Sequence, residues 1–314
     1  MHITILGGGS WGTALAVHLA KKNHKIKLWE FFEQQAQDMQ EKGVCPLLPG
    51  VLLSENITVS SDMASTLLGA ELVLIVVPSD KLESTLEKAQ PYLKLQPLIL
   101  CSKGFASNTR LLSEVVHTNI SSSLFFLYGP THAEEVGKGL LSGIVLVGGE
   151  GKEKLKQEFE SENLKVELSD DIIGVQVAAA LKNIVALAVG IASGLGMGDN
   201  AKAFIITKGY AEIRQVGMAW GAKDETFHGL AGIGDIIVTC LSEHSRNFRV
   251  GRELGRGRQL ADIMAEMKMV AEGVTSAKAV PILKERFGLE LPLLSVMYEI
   301  VHEGKMATNL GKSI

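Results

Sequence analysis

Directly after its first apolar run, Ile3–Leu6, the chain reads Gly7-Gly8-Gly9-Ser10-Trp11-Gly12 and passes into an amphipathic stretch, Trp11–Lys22. A G-x-G-x-x-G between a strand and a helix leaves few folds open. The first glycine permits a tight turn, the second lets a pyrophosphate approach the backbone, and the third lets the helix pack on the strand. Gly7, Gly9 and Gly12 fill these places, and the N–H groups of the helix start, from Ser10 and Trp11 onward, suit a phosphate. A dinucleotide cofactor is therefore expected, and with it a sheet whose strand ends face the ligand.

The rest of the first half fits that expectation. Continuous apolar runs at Ile3–Leu6, Ile26–Trp29, Leu72–Val77, Leu98–Cys101, Leu124–Tyr128 and Ile144–Val147 alternate with helical segments such as Lys81–Ala89. Unbroken apolar strands separated by helices predict an α/β fold with a mostly parallel, doubly wound sheet of Rossmann type. Beyond Asp170 the pattern changes to helices only: Val175–Ser193, Ala201–Met218, Ser245–Leu254, Thr275–Phe287 and Leu293–Val301. The expected organisation is thus a dinucleotide-binding domain over residues 1–170 and an all-helical substrate and catalytic domain over residues 171–314. The tail after Glu303 is polar and is expected to hang free.

Composition narrows the partners. With 31 basic and 35 acidic residues the net charge is −4, which gives no reason to expect nucleic acid or an anionic membrane surface. Cys45, Cys101 and Cys240 are far apart and share no metal-ligand spacing, as expected of free thiols in a reducing, cytoplasmic compartment. The eight histidines are scattered, so no metal is expected. Met1–Leu6 runs straight into the glycine turn rather than a cleavage site, which argues against a signal peptide. The apolar stretch Val175–Leu195 carries Lys182 and Asn183 near its middle, and a lysine there favours a buried helix over a membrane span.

Several residues have two roles open to them. Glu30, 18 residues after Gly12 at the end of the second strand, either accepts hydrogen bonds from a ribose or is a solvated strand end. Phe31 and Phe32 follow it, so no adjacent cation meets a 2′-phosphate, and both NAD and NADP stay open. Lys103, in the loop after the fourth of these runs, is a ligand-facing cation or a surface lysine. Thr131 either contacts a ligand or forms a capping box with Glu134. Lys182 is either a desolvated general base for an alcohol or a lysine whose stem packs while its ammonium reaches a surface. Asp235, after the Gly229–Gly234 joint, either orients a substrate hydroxyl, pairs with Lys182, or caps a helix. Ser245-Arg246-Asn247 opens a helix as a phosphate cradle does, or begins a basic solvated face with the arginines up to Arg258.

Taken together, Gly7–Ala14 (GGGSWGTA), Ser102–Gly104 (SKG), Gly129–Ala133 (GPTHA), Ala180–Ile184 (ALKNI), Gly198–Ala201 (GDNA), Gly229–Asp235 (GLAGIGD), Ser245–Asn247 (SRN) and Glu272–Val274 (EGV) resemble, in order and spacing, the NAD(P)-dependent glycerol-3-phosphate dehydrogenases of bacteria. The resemblance implies Lys182 as proton acceptor. It implies Lys103, Gly129, Lys182, Asp235, Ser245, Arg246 and Asn247 as substrate contacts, beside which Thr131 is kept as a candidate. Dinucleotide contacts are implied at Ser10, Trp11, Lys103, Ala133, Arg246, Val270 and Glu272, and Phe31 is a further candidate at the end of the second strand. It further implies reversible oxidation of sn-glycerol 3-phosphate to dihydroxyacetone phosphate, supply of glycerol phosphate to phospholipid synthesis, and a homodimer. The chain departs from many members at His132, where they carry phenylalanine, and at Phe31 and Phe32, where they carry a basic or histidine residue. The alternatives are a lysine-using dehydrogenase for a hydroxy acid, and a dinucleotide-binding sensor, which has no need of a proton acceptor.

Overall fold

A computed structural model describes residues 1–267 and 271–313. The chain divides into two compact units, Met1–Ser102 with Leu112–Asp170, and Lys103–Leu111 with the chain from Asp171 onward.

The first unit is built on one eight-stranded sheet. Its strands are β1 (His2–Leu6), β2 (Lys25–Trp29), β3 (Ile57–Ser60), β4 (Leu72–Ile75), β5 (Leu98–Leu100), β6 (Leu124–Tyr128), β7 (Ser142–Val147) and β8 (Leu164–Ser169). They lie in the order β3-β2-β1-β4-β5-β6-β7-β8. All neighbours run parallel except β6 and β7. The first six strands follow the Rossmann order, which reverses direction between β1 and β4 and leaves a crevice at their carboxyl ends. The α/β, doubly wound expectation is borne out. The central strands β4, β5 and β6 are buried along their whole length, as their unbroken apolar sequences require.

Two strands were not foreseen, β3 and β8. Both are edge strands whose residues alternate between buried and exposed, as Lys165 and Glu167 do in β8. An edge strand covered on one face needs only alternation, so its sequence lacks the continuous apolar signal.

The second unit packs around one helix, Ile172–Gly194, in which every residue from Gly174 to Ala192 is buried. It is long and apolar enough to cross a membrane, but the other helices of the unit cover it all round. Asp171 starts it, accepting from Gly174 N at 2.9 Å, and also from Lys223 N and Thr226 Oγ1 at 2.9 and 2.6 Å. The helices Gly198–Trp220, Asp235–Leu241, Arg246–Gly255 and Glu272–Ser276 pack against it. Its crossing with Arg246–Gly255 is backbone on backbone. A Cβ on Gly190 would stand 2.2 Å from Phe248 O, and one on Gly251 2.0 Å from Leu187 O. Only glycine permits so close an approach, which brings the Ser245–Asn247 segment beside the middle of the core helix.

The expected helix Thr275–Phe287 is broken into Glu272–Ser276, a 3₁₀ turn at Ala277–Ala279, and Val280–Phe287. Pro281, in the first turn of the last of these, has no N–H to continue the ladder. The tail is not free: Ala307–Asn309 forms a 3₁₀ turn and Leu310 is fully buried in the helical core.

Candidate active site

Lys182 projects from the middle of the core helix and is 4% exposed. Its Nζ donates to Asp235 Oδ1 at 2.5 Å and to Thr239 Oγ1 at 2.8 Å. The Lys103 ammonium reaches the other carboxylate oxygen, Asp235 Oδ2, at 3.2 Å. Asp235 opens its helix just after the π-helical turn Leu230–Gly234, and Thr239 lies one turn further on the same face. The carboxylate therefore serves two lysines rather than capping a helix. Thr239 was not foreseen, although its spacing of four from Asp235 is the signal that places both on one helix face.

Burial lowers the Lys182 pKa most, Asp235 partly restores it, and Lys103 lowers it again, leaving it at about 7. Burial alone would push the Asp235 carboxyl up, but the Lys103 and Lys182 ammoniums more than offset this and hold it down. At neutral pH the site thus contains a firmly ionised carboxylate and an amine that gives up a proton readily. Thr239 donates its one hydroxyl hydrogen to Asp235 O at 2.6 Å and must accept from Lys182. The two hydrogens of the neutral amine can go to Asp235 and Thr239, which leaves its lone pair as an acceptor.

The residues expected to cradle a phosphate lie close by. Ser245 caps its helix by accepting from Phe248 N at 3.2 Å, and half-buried Arg246 is the first helical residue. Asn247 donates to Asn183 Oδ1 and accepts from Gly273 N, each at 2.9 Å. One amide thus ties three sequence-distant motifs together: Lys182-Asn183, Ser245–Asn247 and Glu272-Gly273. Further along, Arg252 pairs with Glu243, Arg256 with Glu253, and Arg258 with Glu266 and Glu253. These arginines are neutralised by neighbouring carboxylates and form a solvated ion-pair face.

In the first unit, the glycine turn has the shape a bound pyrophosphate needs. Gly7 has φ +125°, and a Cβ there would lie 2.6 Å from Val76 O. A Cβ on Gly12 would lie 2.0 Å from Gly7 O, whereas one on Gly9 would meet nothing within 4 Å. Gly7 and Gly12 are therefore packed against backbone and Gly9 faces open space, beside the first turn of the Ser10–Lys21 helix. A dinucleotide fits this cradle.

The strand-end residues differ from expectation. Glu30 is not solvated: it is 5% exposed, accepts from Phe32 N at 3.0 Å, and lies where a Cβ on Gly8 would come within 2.5 Å of it. Burial pushes its carboxyl pKa up. Phe31 and Phe32 are 57% and 64% exposed, and Lys88 stands over the Phe31 ring at 4.8 Å. A cation is thus present beside Phe31, brought by the Leu82–Ala89 helix, where adjacent sequence shows none. Thr131 forms no capping box. The cap of the Ala133–Lys138 helix is His132, and the Thr131 hydroxyl donates to Gly129 O at 3.3 Å. Gly129 and buried Ala133 flank it after β6. The loops after β4, β5 and β6 are pinned together: Ser102 donates to Val77 O at 2.5 Å and Tyr128 to Ser102 O at 2.6 Å. Val270 lies outside the described residues. Among the described residues no cluster of His, Cys, Asp or Glu side chains is arranged to hold a metal ion.

Residues 2–153 match the family model for the N-terminus of NAD-dependent glycerol-3-phosphate dehydrogenase, and residues 171–312 match the model for its C-terminus. A protein of Chlorobium luteolum called glycerol-3-phosphate dehydrogenase [NAD(P)+] is 42% identical, over 97% of this chain and 94% of that protein. The chain belongs to the NAD-dependent glycerol-3-phosphate dehydrogenase family. A second member, from Geobacillus thermodenitrificans, is 41% identical over 97% of this chain and 91% of its own. The crystal structure of the glycerol-3-phosphate dehydrogenase of Coxiella burnetii superposes with a TM-score of 0.96, at 34% identity, over 99% of this chain and 97% of that one. The shared fold spans both units, so the glycine turn and the lysine–aspartate cluster both lie inside what the family has in common.

Proposed function

We propose that this dehydrogenase interconverts sn-glycerol 3-phosphate and dihydroxyacetone phosphate with NAD or NADP, and that Lys182 is its acid–base group. The observation that carries the assignment is the buried amine of Lys182, depressed to about 7 and held by Asp235 and Thr239, in a chain of this family. A nicotinamide, when bound, supplies the hydride acceptor. The residues of the chain do the rest. Gly7, Gly9, Gly12, Ser10 and Trp11 receive the pyrophosphate, and Phe31 lies beside the end of β2, where an adenosine is placed in this fold. Lys103, Ala133, Arg246, Val270 and Glu272 complete the proposed cofactor set.

Arg246, with Ser245 and Asn247, holds the substrate phosphate, and Lys103 and Asp235 line the rest of the molecule; Gly129 and Thr131 stay candidate substrate contacts. During oxidation the neutral Lys182 amine takes the C2 hydroxyl proton as the C2 hydride departs. In reduction the Lys182 ammonium returns that proton to the forming alkoxide. Asp235 fixes both lysines, so the charge developing at oxygen meets cations already in place, with no reorganisation. Phosphate binding away from C2 contributes by orientation. The physiological setting we propose is a cytoplasmic homodimer making glycerol phosphate for phospholipids.

The reaction is tested by mixing the protein with dihydroxyacetone phosphate and either NADH or NADPH and following the reduced nicotinamide absorbance. Rapid loss with at least one cofactor is expected; no loss with either, in protein that binds the cofactor, excludes the substrate. Arg246→Ala separates binding from chemistry. Losing a charge-assisted contact of about 1.5–3 kcal/mol raises KM roughly 10- to 100-fold. An unchanged KM for dihydroxyacetone phosphate removes Arg246 from the cradle.

A further inference from the structure

Lys103 leaves β5, yet the segment it begins, Lys103–Leu111, belongs to the helical unit. What seats this segment there is an aromatic contact two residues from the lysine. Phe105 is 8% exposed and lies parallel to Trp220, the last residue of the Gly198–Trp220 helix, with centroids 5.9 Å apart and planes 12° apart. Trp220 packs in turn on Phe287 at 5.4 Å, and the Arg286 guanidinium lies over the Trp220 ring at 4.6 Å. At the other end of the segment Leu111 is buried in the same helical core.

Between these anchors the loop is tightly closed and strained. Ala106 N donates to Arg110 O at 3.0 Å, and Asn108 and Thr109 take φ of 56° and 55°. A β-branched residue in that region stores roughly 1–3 kcal/mol, which persists only where the surroundings hold it. Only Gly104, at φ +135°, separates Lys103 from Phe105. Two residues span at most about 7 Å, so fixing Phe105 fixes the Lys103 backbone within that reach.

We propose that the Phe105–Trp220 stack is a positioning device for the active site: it seats the Lys103–Leu111 loop so that the Lys103 ammonium stays on Asp235 beside Lys182. The inference rests on the role proposed above for Lys182. Both rings act through Lys103. The titratable groups around the Lys182 amine are Asp235, Lys103 and the Cys240 thiol, which burial pushes up to about 12 and keeps neutral. Lys103 lowers the Lys182 pKa and Asp235 raises it, so a displaced Lys103 lets it rise.

The test compares Trp220→Leu, Lys103→Met and the double variant. Two readouts are used: the pH profile of sn-glycerol 3-phosphate oxidation, and an NMR titration of Lys182 in protein carrying ¹³C-labelled lysine, its signal assigned by its loss in Lys182→Ala. Trp220→Leu is expected to lower kcat about ten-fold by misplacing Lys103. It moves the Lys182 midpoint up by about one pH unit as a neighbouring like charge withdraws. The double variant shows no further shift beyond Lys103→Met, because the two changes act through one group. Trp220→Phe, which keeps a ring against Phe105, retains the wild-type midpoint. If Trp220→Leu does not fold, Phe105→Leu carries the same comparison. An unmoved midpoint in the folded variant, or shifts that add in the double variant, overturns the proposal. Absence of wild-type turnover would refute the dehydrogenase assignment instead, while the NMR midpoints still decide the role of the stack.

Discussion

Lys182→Ala is expected to lower kcat in both directions by about 10²–10⁴-fold, the usual contribution of a positioned general acid–base group. Dinucleotide affinity is expected to be nearly unchanged, because Lys182 is not among the proposed dinucleotide contacts and the glycine turn with its helix is left as it is. Steady-state kinetics with a fluorescence titration of NADH checks both halves of that expectation. The variant also leaves Asp235 with Lys103 as its remaining cation. The carboxylate is 1% exposed, so some loss of stability accompanies the loss of activity. A kcat within a few-fold of wild type would mean that another group moves the proton.

Gly251→Ala is expected to be strongly destabilising for the helical unit. Its Cβ would lie 2.0 Å from Leu187 O, and on the opposite side of the same crossing Gly190 leaves no more room, at 2.2 Å from Phe248 O. Gly194 and Gly255 repeat the arrangement one turn on, with clearances of 2.2 and 2.3 Å to Arg252 O and Ile191 O. Each clash sets a Cβ, whose place the backbone fixes, against a backbone oxygen, so no rotamer change relieves it and the helices must separate. Overpacking of this kind costs about 3 kcal/mol or more. For a unit of this size that lowers the melting temperature by roughly 10 °C. Because the same helix carries Ser245–Asn247, the surviving folded protein is expected to show a raised KM for the phosphorylated substrate. Thermal denaturation and kinetics well below the transition check the two effects. A melting temperature within a degree of wild type would contradict the close crossing.

The fold was legible where physics acts locally. A G-x-G-x-x-G after an apolar strand announces itself, and β4, β5 and β6, buried on both faces, read as unbroken apolar runs. β3 and β8 escaped because an edge strand buries alternate residues only. The break at Ala277–Ala279 was hidden in a segment whose apolar spacing suits one long helix.

The site was legible less evenly. Lys182 stood out as a charge in an apolar helix, and pairing with Asp235 was one of the roles the sequence allowed. Thr239, the Asn183–Asn247–Gly273 tie, the approach of Glu30 to Gly8, and Lys88 over Phe31 were not visible, since each joins residues 20 or more apart through space or depends on a register that pattern alone does not give. Thr131 and Glu134 have the spacing of a capping box, but the helix begins one residue later than that requires, at Ala133 with His132 as its cap.

The measurement that bears most directly on the account is the pH dependence of kcat/KM for sn-glycerol 3-phosphate oxidation, which reports ionisations of the free enzyme and free substrate. Lys182 must be neutral to accept the hydroxyl proton, so the rate rises with pH and levels off above the amine's pKa. The account predicts an acid limb of unit slope with its midpoint at about 7, distinct from the substrate phosphate's own ionisation near 6 and absent from the residual activity of Lys182→Ala. A profile flat across that range, or a limb that survives unchanged in Lys182→Ala, would contradict it.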